Sequence, residues 1–174
     1  MTYIVFDLEA TCWEHRVPVD SMEIIEIGAV RLGAELLPMD EFSSFIRPVV
    51  NPVLSDFCKK LTTITQEDVD KAEDFKAVFP RFVSWAGAGS AALCSWGAYD
   101  KKQLAIDSVR HGFTLPPNLD AHINLKALFA EHYAVKPCGM AKALSKLGIP
   151  LEGTHHRGID DARNIAGIAQ IILK

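Results

Sequence analysis

The side chains best suited to chemistry are acids and histidines in three short segments. In the first, Asp7 and Glu9 stand two apart in Phe6-Asp7-Leu8-Glu9-Ala10-Thr11, where an apolar, β-rich run ends. Alternation along a strand points both carboxylates to one face. Two acids on one face repel, and burying them together is costly or raises a pKa. A divalent cation removes that conflict, and an all-oxygen donor set favours Mg²⁺ or Mn²⁺. In the second segment, Trp96-Gly97-Ala98-Tyr99-Asp100, an acid follows a glycine turn and opens a helix. In the third, His155-His156-Arg157-Gly158-Ile159-Asp160-Asp161, histidines precede a pair of acids. Each segment alone has a blander reading: a strand running into solvent, a helix-capping acid, or surface histidines.

The third segment has an ambiguous register, because His155/Asp160 and His156/Asp161 share one spacing. Helical phase favours Asp161, which falls on the stripe of Ile165 and Ile168 that should face a sheet. Asp160 shares its face with Asn164, expected to look outward, and is assigned to the rim. Histidine suits general-base work near neutral pH, its ordinary pKa being about 6.5. His155 reads as a neighbour without a catalytic role. His15, His111, His122 and His132 read as plain surface residues.

These segments need elements to hold them. Tyr3–Asp7, Glu23–Arg31 and Glu41–Ile46 read as three strands with short links, an antiparallel meander. A Pro-rich connection follows, in which Ser55 can cap a short helix. Thr65-Gln66-Glu67-Asp68 matches a capping box. Helical periodicity covers Phe75–Trp85 and Tyr99–His111. Ala91–Ser95 reads as a short buried strand, and Leu119–Leu125 as a weaker one running into a helix through Tyr133. Ala141–Leu147 and Ile159–Ile172 complete the helices. Strands followed by alternating helices and strands indicate the α/β class, a mixed sheet covered by helices.

The 174 residues fit one domain, residues 1–174. No apolar run approaches the ~20 residues of a membrane span, and the opening MTYIVFDLEA is not a signal peptide. A cytoplasmic protein is the expectation. Cys12, Cys58, Cys94 and Cys138 form no C-x-x-C pair, so neither zinc nor disulfides are indicated. The net charge of −4 argues against a long electrostatic footprint on nucleic acid. It leaves room for an enzyme that grips one or two nucleotides through cations set between its carboxylates and the phosphate.

Taken together, FDLEAT, WGAYD and HHRGIDDARN resemble the three motifs of the DEDDh exonuclease superfamily. FDLEATCW, EIIEIGAV, RPVVNPVLSDFCKKLTTITQ and CSWGAYDKKQL extend the likeness to its ERI-1-like and KapD-like branch, over almost the whole chain. Where that branch commonly has Thr-Gly-Ile-Thr, this chain has Thr62-Thr63-Ile64-Thr65.

The resemblance implies a ribonuclease H-like fold, a five-stranded mixed sheet with β1–β3 antiparallel and β4–β5 parallel. It implies a 3′→5′ exonuclease with two divalent ions, Mg²⁺ or Mn²⁺, held by Asp7, Glu9, Asp100 and Asp161. Asp7 would bridge the ions, and His156 would act as general base. The substrate would be a nucleic acid with a free 3′ end, RNA favoured, cut to nucleoside 5′-monophosphates. Leu8, Ala10 and Thr11 would meet the terminal nucleotide through backbone, and Trp96 would offer a stacking face or belong to the core. Lys101, Lys102 and Arg157 stand beside the motifs, facing either phosphates or solvent. No obligate protein partner is marked. The alternatives are a DNA exonuclease of proofreading type and a regulatory binding module that keeps the fold.

Overall fold

Alternating side chains over Thr2–Ala10 make strand β1, the middle of the sheet. Ile4, Phe6 and Leu8 turn into one core and Val5 into the other, so Asp7 and Glu9 share the face of Val5. Strand β2 (Ile24–Leu32) pairs antiparallel with β1, and β3 (Pro38–Phe45) antiparallel with β2. Three helices follow: α1 (Asp56–Thr62), α2 (Gln66–Asp70) and α3 (Phe75–Ala86). Strand β4 (Ala91–Ser95) then returns parallel to β1, and β5 (His122–Asn124) lies parallel to β4. The sheet order is β3-β2-β1-β4-β5. This computed structural model describes residues 2–87 and 91–174.

Helix α3 lays Phe75, Phe79 and Phe82 against Ile4, Phe6 and Leu8, with Leu104 of α4 (Tyr99–Arg110) in the same core. Helices α5 (Leu125–His132), α6 (Met140–Leu147) and α7 (Gly158–Ile172) cover the other face. There Ile165, Ile168 and Ile172 of α7 join Val5, Val30 and Leu32. Each such side chain, fully buried, contributes about 1.5–3 kcal/mol. Local capping is as the sequence indicates. Ser55 accepts from the backbone of Cys58, and Thr65 and Asp68 form a complete capping box.

The architecture is the expected mixed α/β sheet, with corrected boundaries. β1 continues past Asp7 to Ala10, so Asp7 and Glu9 lie within the strand, still paired to β2. β3 starts at Pro38, and its register with β2 runs to Phe45. The weak strand at 119–125 shrinks to three residues. Pro116 and Pro117 start a 3-10 turn over Pro117–Leu119 instead, and proline cannot donate to a sheet ladder. Among the described residues no helix is long and apolar enough to cross a membrane. The four cysteines are all free.

Candidate active site

β4 ends at Ser95, while its parallel neighbour β1 runs on to Ala10. Beyond this step the β1 backbone has no strand partner on that side among the described residues. Asp100, in the first turn of α4, fills the gap by accepting the Leu8 N–H at 3.2 Å. The cleft thus opens at the carboxyl ends of two parallel strands, the usual binding position in α/β sheets. On the far wall, α7 begins at Gly158 and turns Asp161 inward, 4% exposed.

The pocket between these walls has a volume of about 370 Å³ and is lined by all five expected catalytic residues: Asp7, Glu9, Asp100, His156 and Asp161. Carboxylate oxygens of Asp7, Glu9 and Asp161 lie within 4.8 Å of one another. Asp100 stands outside that triangle. Burial, then the charges of Asp100, Glu9 and Asp161, pushes the Asp7 carboxyl well above its ordinary range. Burial and the charge of Asp161 push Glu9 up to about 8. Burial raises Asp100 to about 6, against the opposing bond from Leu8. Acids this crowded and this dry fit a hard divalent cation, which would replace both repulsion and lost hydration.

His156 has a positive φ of 66°, a conformation uncommon outside glycine. Its N–H donates to Asp161 Oδ2 at 2.9 Å. Burial and the neighbouring His155 lower its pKa, so the ring is neutral at neutral pH. His155 is nearer the chemistry than expected. It lines the pocket, and its Nδ1 lies 3.0 Å from both Asp161 oxygens. Its ring stacks on His156 at 4.0 Å. Asp160 does hold the rim: its carboxylate accepts the Thr154 N–H and pairs with Arg163. Asn164 does not look outward. It is 6% exposed, bonded to the Glu152 backbone and to the Asp160 carbonyl.

Of the expected substrate contacts, Leu8 and Trp96 line the pocket. The Trp96 Nε1–H donates to the Cys138 carbonyl at 2.9 Å, which fixes the ring in the wall. Ala10 and Thr11 do not line it. Both are buried, and Thr11 is tied to the Glu23 backbone through its own N–H and Oγ1. Lys101, Lys102 and Arg157 do not line it either. Lys101 pairs with Asp120, and Arg157 with Glu26. Sequence reasoning missed Tyr99 and Met140, which complete the apolar wall. Tyr99 adjoins Asp100 and could have been found, whereas nothing near Met140 resembles a motif. His122 is not plain surface: its Nε2 lies 2.9 Å from the Ser95 Oγ.

A family model described as exonuclease, RNase T, matches residues 4–169. Two similar proteins are the zebrafish (Danio rerio) ERI1 exoribonuclease 2 and the human 3′-5′ exoribonuclease 1. The first is 35% identical over 192 residues, covering 98% of this chain and 34% of the relative. The second is 35% identical over 181 residues, covering 98% and 52%. The chain thus spans about half or less of these curated relatives. Among solved structures, the nuclease domain of 3′hExo, a DEDDh family member bound to rAMP, is 34% identical. It superposes with a TM-score of 0.92 over 99% of this chain and 91% of that one. Motifs, sheet order and relatives agree: the chain belongs to the RNase T exonuclease family, in its DEDDh, ERI-1-like branch.

Proposed function

We propose that this protein is a divalent-metal-dependent 3′→5′ exonuclease that removes nucleoside 5′-monophosphates from RNA. The observation that carries this reading is one pocket that gathers the Asp7, Glu9 and Asp161 oxygens within 4.8 Å, with Asp100 and His156 on its walls. Asp7, Glu9 and Asp161 would hold one ion, and Asp100 with Asp7 the other, Mg²⁺ or Mn²⁺. When bound, the ions supply Lewis-acid stabilisation of charge on the phosphoryl oxygens and a more acidic water. The neutral His156 ring takes the proton from the attacking water. Water adds to phosphorus, the bond to the preceding 3′ oxygen breaks, and that oxygen takes up a proton from solvent to leave as a new 3′ hydroxyl. Leu8, Trp96, Tyr99 and Met140 offer the terminal nucleoside an apolar seat. RNA is favoured over DNA because the relatives reported above are named exoribonucleases. Four free cysteines fit work in the reducing interior of a cell.

The test is a time course on RNA and DNA oligomers with free or blocked 3′ ends, with and without EDTA. Nucleoside 5′-monophosphates should appear from free-ended RNA, vanish with EDTA, and vanish with Asp7→Ala while the fold survives. Equal cleavage of blocked RNA, or normal activity of Asp7→Ala, overturns the reading. DNA cut faster than RNA would overturn the substrate class alone.

A further inference from the structure

Glu26 is a buried acid that the proposed chemistry does not use. It sits on β2 directly opposite Glu9 of β1 and is 1% exposed. It belongs neither to the acid cluster nor to the pocket lining. Its charge works against the site, being among the causes that raise Asp7 and Glu9. A carboxylate buried there needs a compensating task.

Its bonds define that task. Oε2 accepts the Gly158 N–H at 2.9 Å and the Arg157 Nε–H at 3.2 Å. Gly158 opens α7, and Arg157, at the N-cap, offers no side-chain cap. The first N–H groups of a helix have no partner within it, and its positive end favours an anion. Glu26 is therefore the cap of α7, supplied from another element. The contact is tight. A Cβ on Gly28 would lie 2.0 Å from the Gly158 carbonyl carbon, so strand and helix meet backbone to backbone. The Arg157 guanidinium lies over the Phe45 ring at 5.0 Å, which closes the other side. The Arg157 carbonyl in turn accepts the Asp161 N–H at 2.8 Å, and His156 immediately precedes Arg157.

We infer that Glu26 is a positioning residue: by capping α7 from β2, it sets where Asp161 and His156 stand against Asp7 and Glu9. The inference rests on the reading of Asp161 as a metal ligand. The carboxylate worsens repulsion among the acids, and the helix start it holds supplies one of them.

The experiment compares wild type, Glu26→Ala, Glu26→Gln and, as control, Asp161→Asn. Calorimetric Mn²⁺ binding without substrate, amide exchange, and kcat and KM on free-ended RNA are measured on folded protein. Glu26→Ala should weaken Mn²⁺ binding by about tenfold or more and lower kcat by a similar factor, as loss of outer-shell support does. KM should change by less than about threefold. Amides at 158–161 should exchange at least about tenfold faster while those of β1 stay protected. Glu26→Gln keeps an oxygen for the Gly158 N–H and loses the ion pair, so it should fall between wild type and Glu26→Ala on every readout. If both variants only lower Tm, with Mn²⁺ affinity and kcat at wild-type values, Glu26 is a buttress and the inference fails. Should Glu26→Ala not fold, Glu26→Gln and Arg157→Ala decide it: Mn²⁺ binding about threefold weaker or worse supports it, and unchanged binding overturns it. If Asp161→Asn binds Mn²⁺ like wild type, the site reading itself fails and takes this inference with it.

Discussion

Replacing Glu9 by glutamine removes one buried ionisable carboxyl with almost no change of shape. In the metal-free protein this should stabilise the fold while destroying the site. Burial and the charges of Asp161, Glu26 and Asp100 push the Glu9 carboxyl from an ordinary 4.5 up to about 8. An acid whose folded pKa is raised binds more protons folded than unfolded between those two values. Stability is then fully present below pH 4.5 and is lost as pH rises toward 8. At roughly 1.4 kcal/mol per pKa unit, the loss reaches at most about 5 kcal/mol above pH 8, where the buried group ionises, and is about 3 kcal/mol at pH 7, where the group must take up a proton to fold. For a chain of this size, each kcal/mol moves Tm by about 2–4 °C. Glu9→Gln in EDTA should therefore melt roughly 6–12 °C above wild type at pH 7, with the gap closing near pH 4.5. Excess Mn²⁺ should shrink or reverse the gap, because only wild type keeps the full ligand set. Thermal melts across pH, with EDTA or Mn²⁺, measure all of this. Equal Tm values at pH 8 in EDTA, or a gap that persists unchanged at pH 4.5, would refute the account of crowded, desolvated acids.

Four further outcomes are expected. His156→Asn tolerates the positive φ of 66° and should lower kcat by about 10²–10⁴ with Mn²⁺ binding nearly unchanged. His155→Ala should cost less than about tenfold, and the opposite ranking in a single-turnover assay would exchange their roles. A base works unprotonated, so the wild-type rate should fall on the acid side, at a pH below 6.5 given that burial and His155 lower His156. Thr63 ends α1 at a φ of 61°, in the left-handed region. Thr63→Gly should relieve that strain, stabilising the protein by about 0.5–1 kcal/mol and raising Tm by a few degrees with activity intact. A lower Tm would mean that the Thr63 side chain makes compensating contacts.

Much of the frame was legible because local physics sets it. The apolar alternation around Val5 and Phe6, the caps at Ser55 and Thr65, and the periodicity of α3 and α7 act over a few residues. The inward phase of Asp161 followed from the isoleucine stripe it shares. Asn164 was misplaced on similar reasoning. A polar side chain on a helix reads as outward until a neighbouring loop offers the Glu152 backbone to bond it. The strand near 119–125 was overdrawn because the 3-10 turn over Pro117–Leu119 and the helix that starts at Leu125 take up its two ends.

Sequence alone thus determined which residue types the site would draw on: the Asp7–Glu9 pair on one strand face, Asp100 at a helix start, and His156 with Asp161 around the start of α7. Spacing and alternation suffice for that, since each motif is a short, continuous stretch of chain. Only tertiary structure decided how these segments meet. It placed His155 against Asp161, drew Ala10 and Thr11 out of the pocket, and brought Tyr99 and Met140 into its wall. It also turned Glu26, one acid within an apolar strand, toward the first residue of a helix 132 positions later. Such contacts join distant parts of the chain through cross-strand register and backbone approach, and neither leaves a local pattern to read.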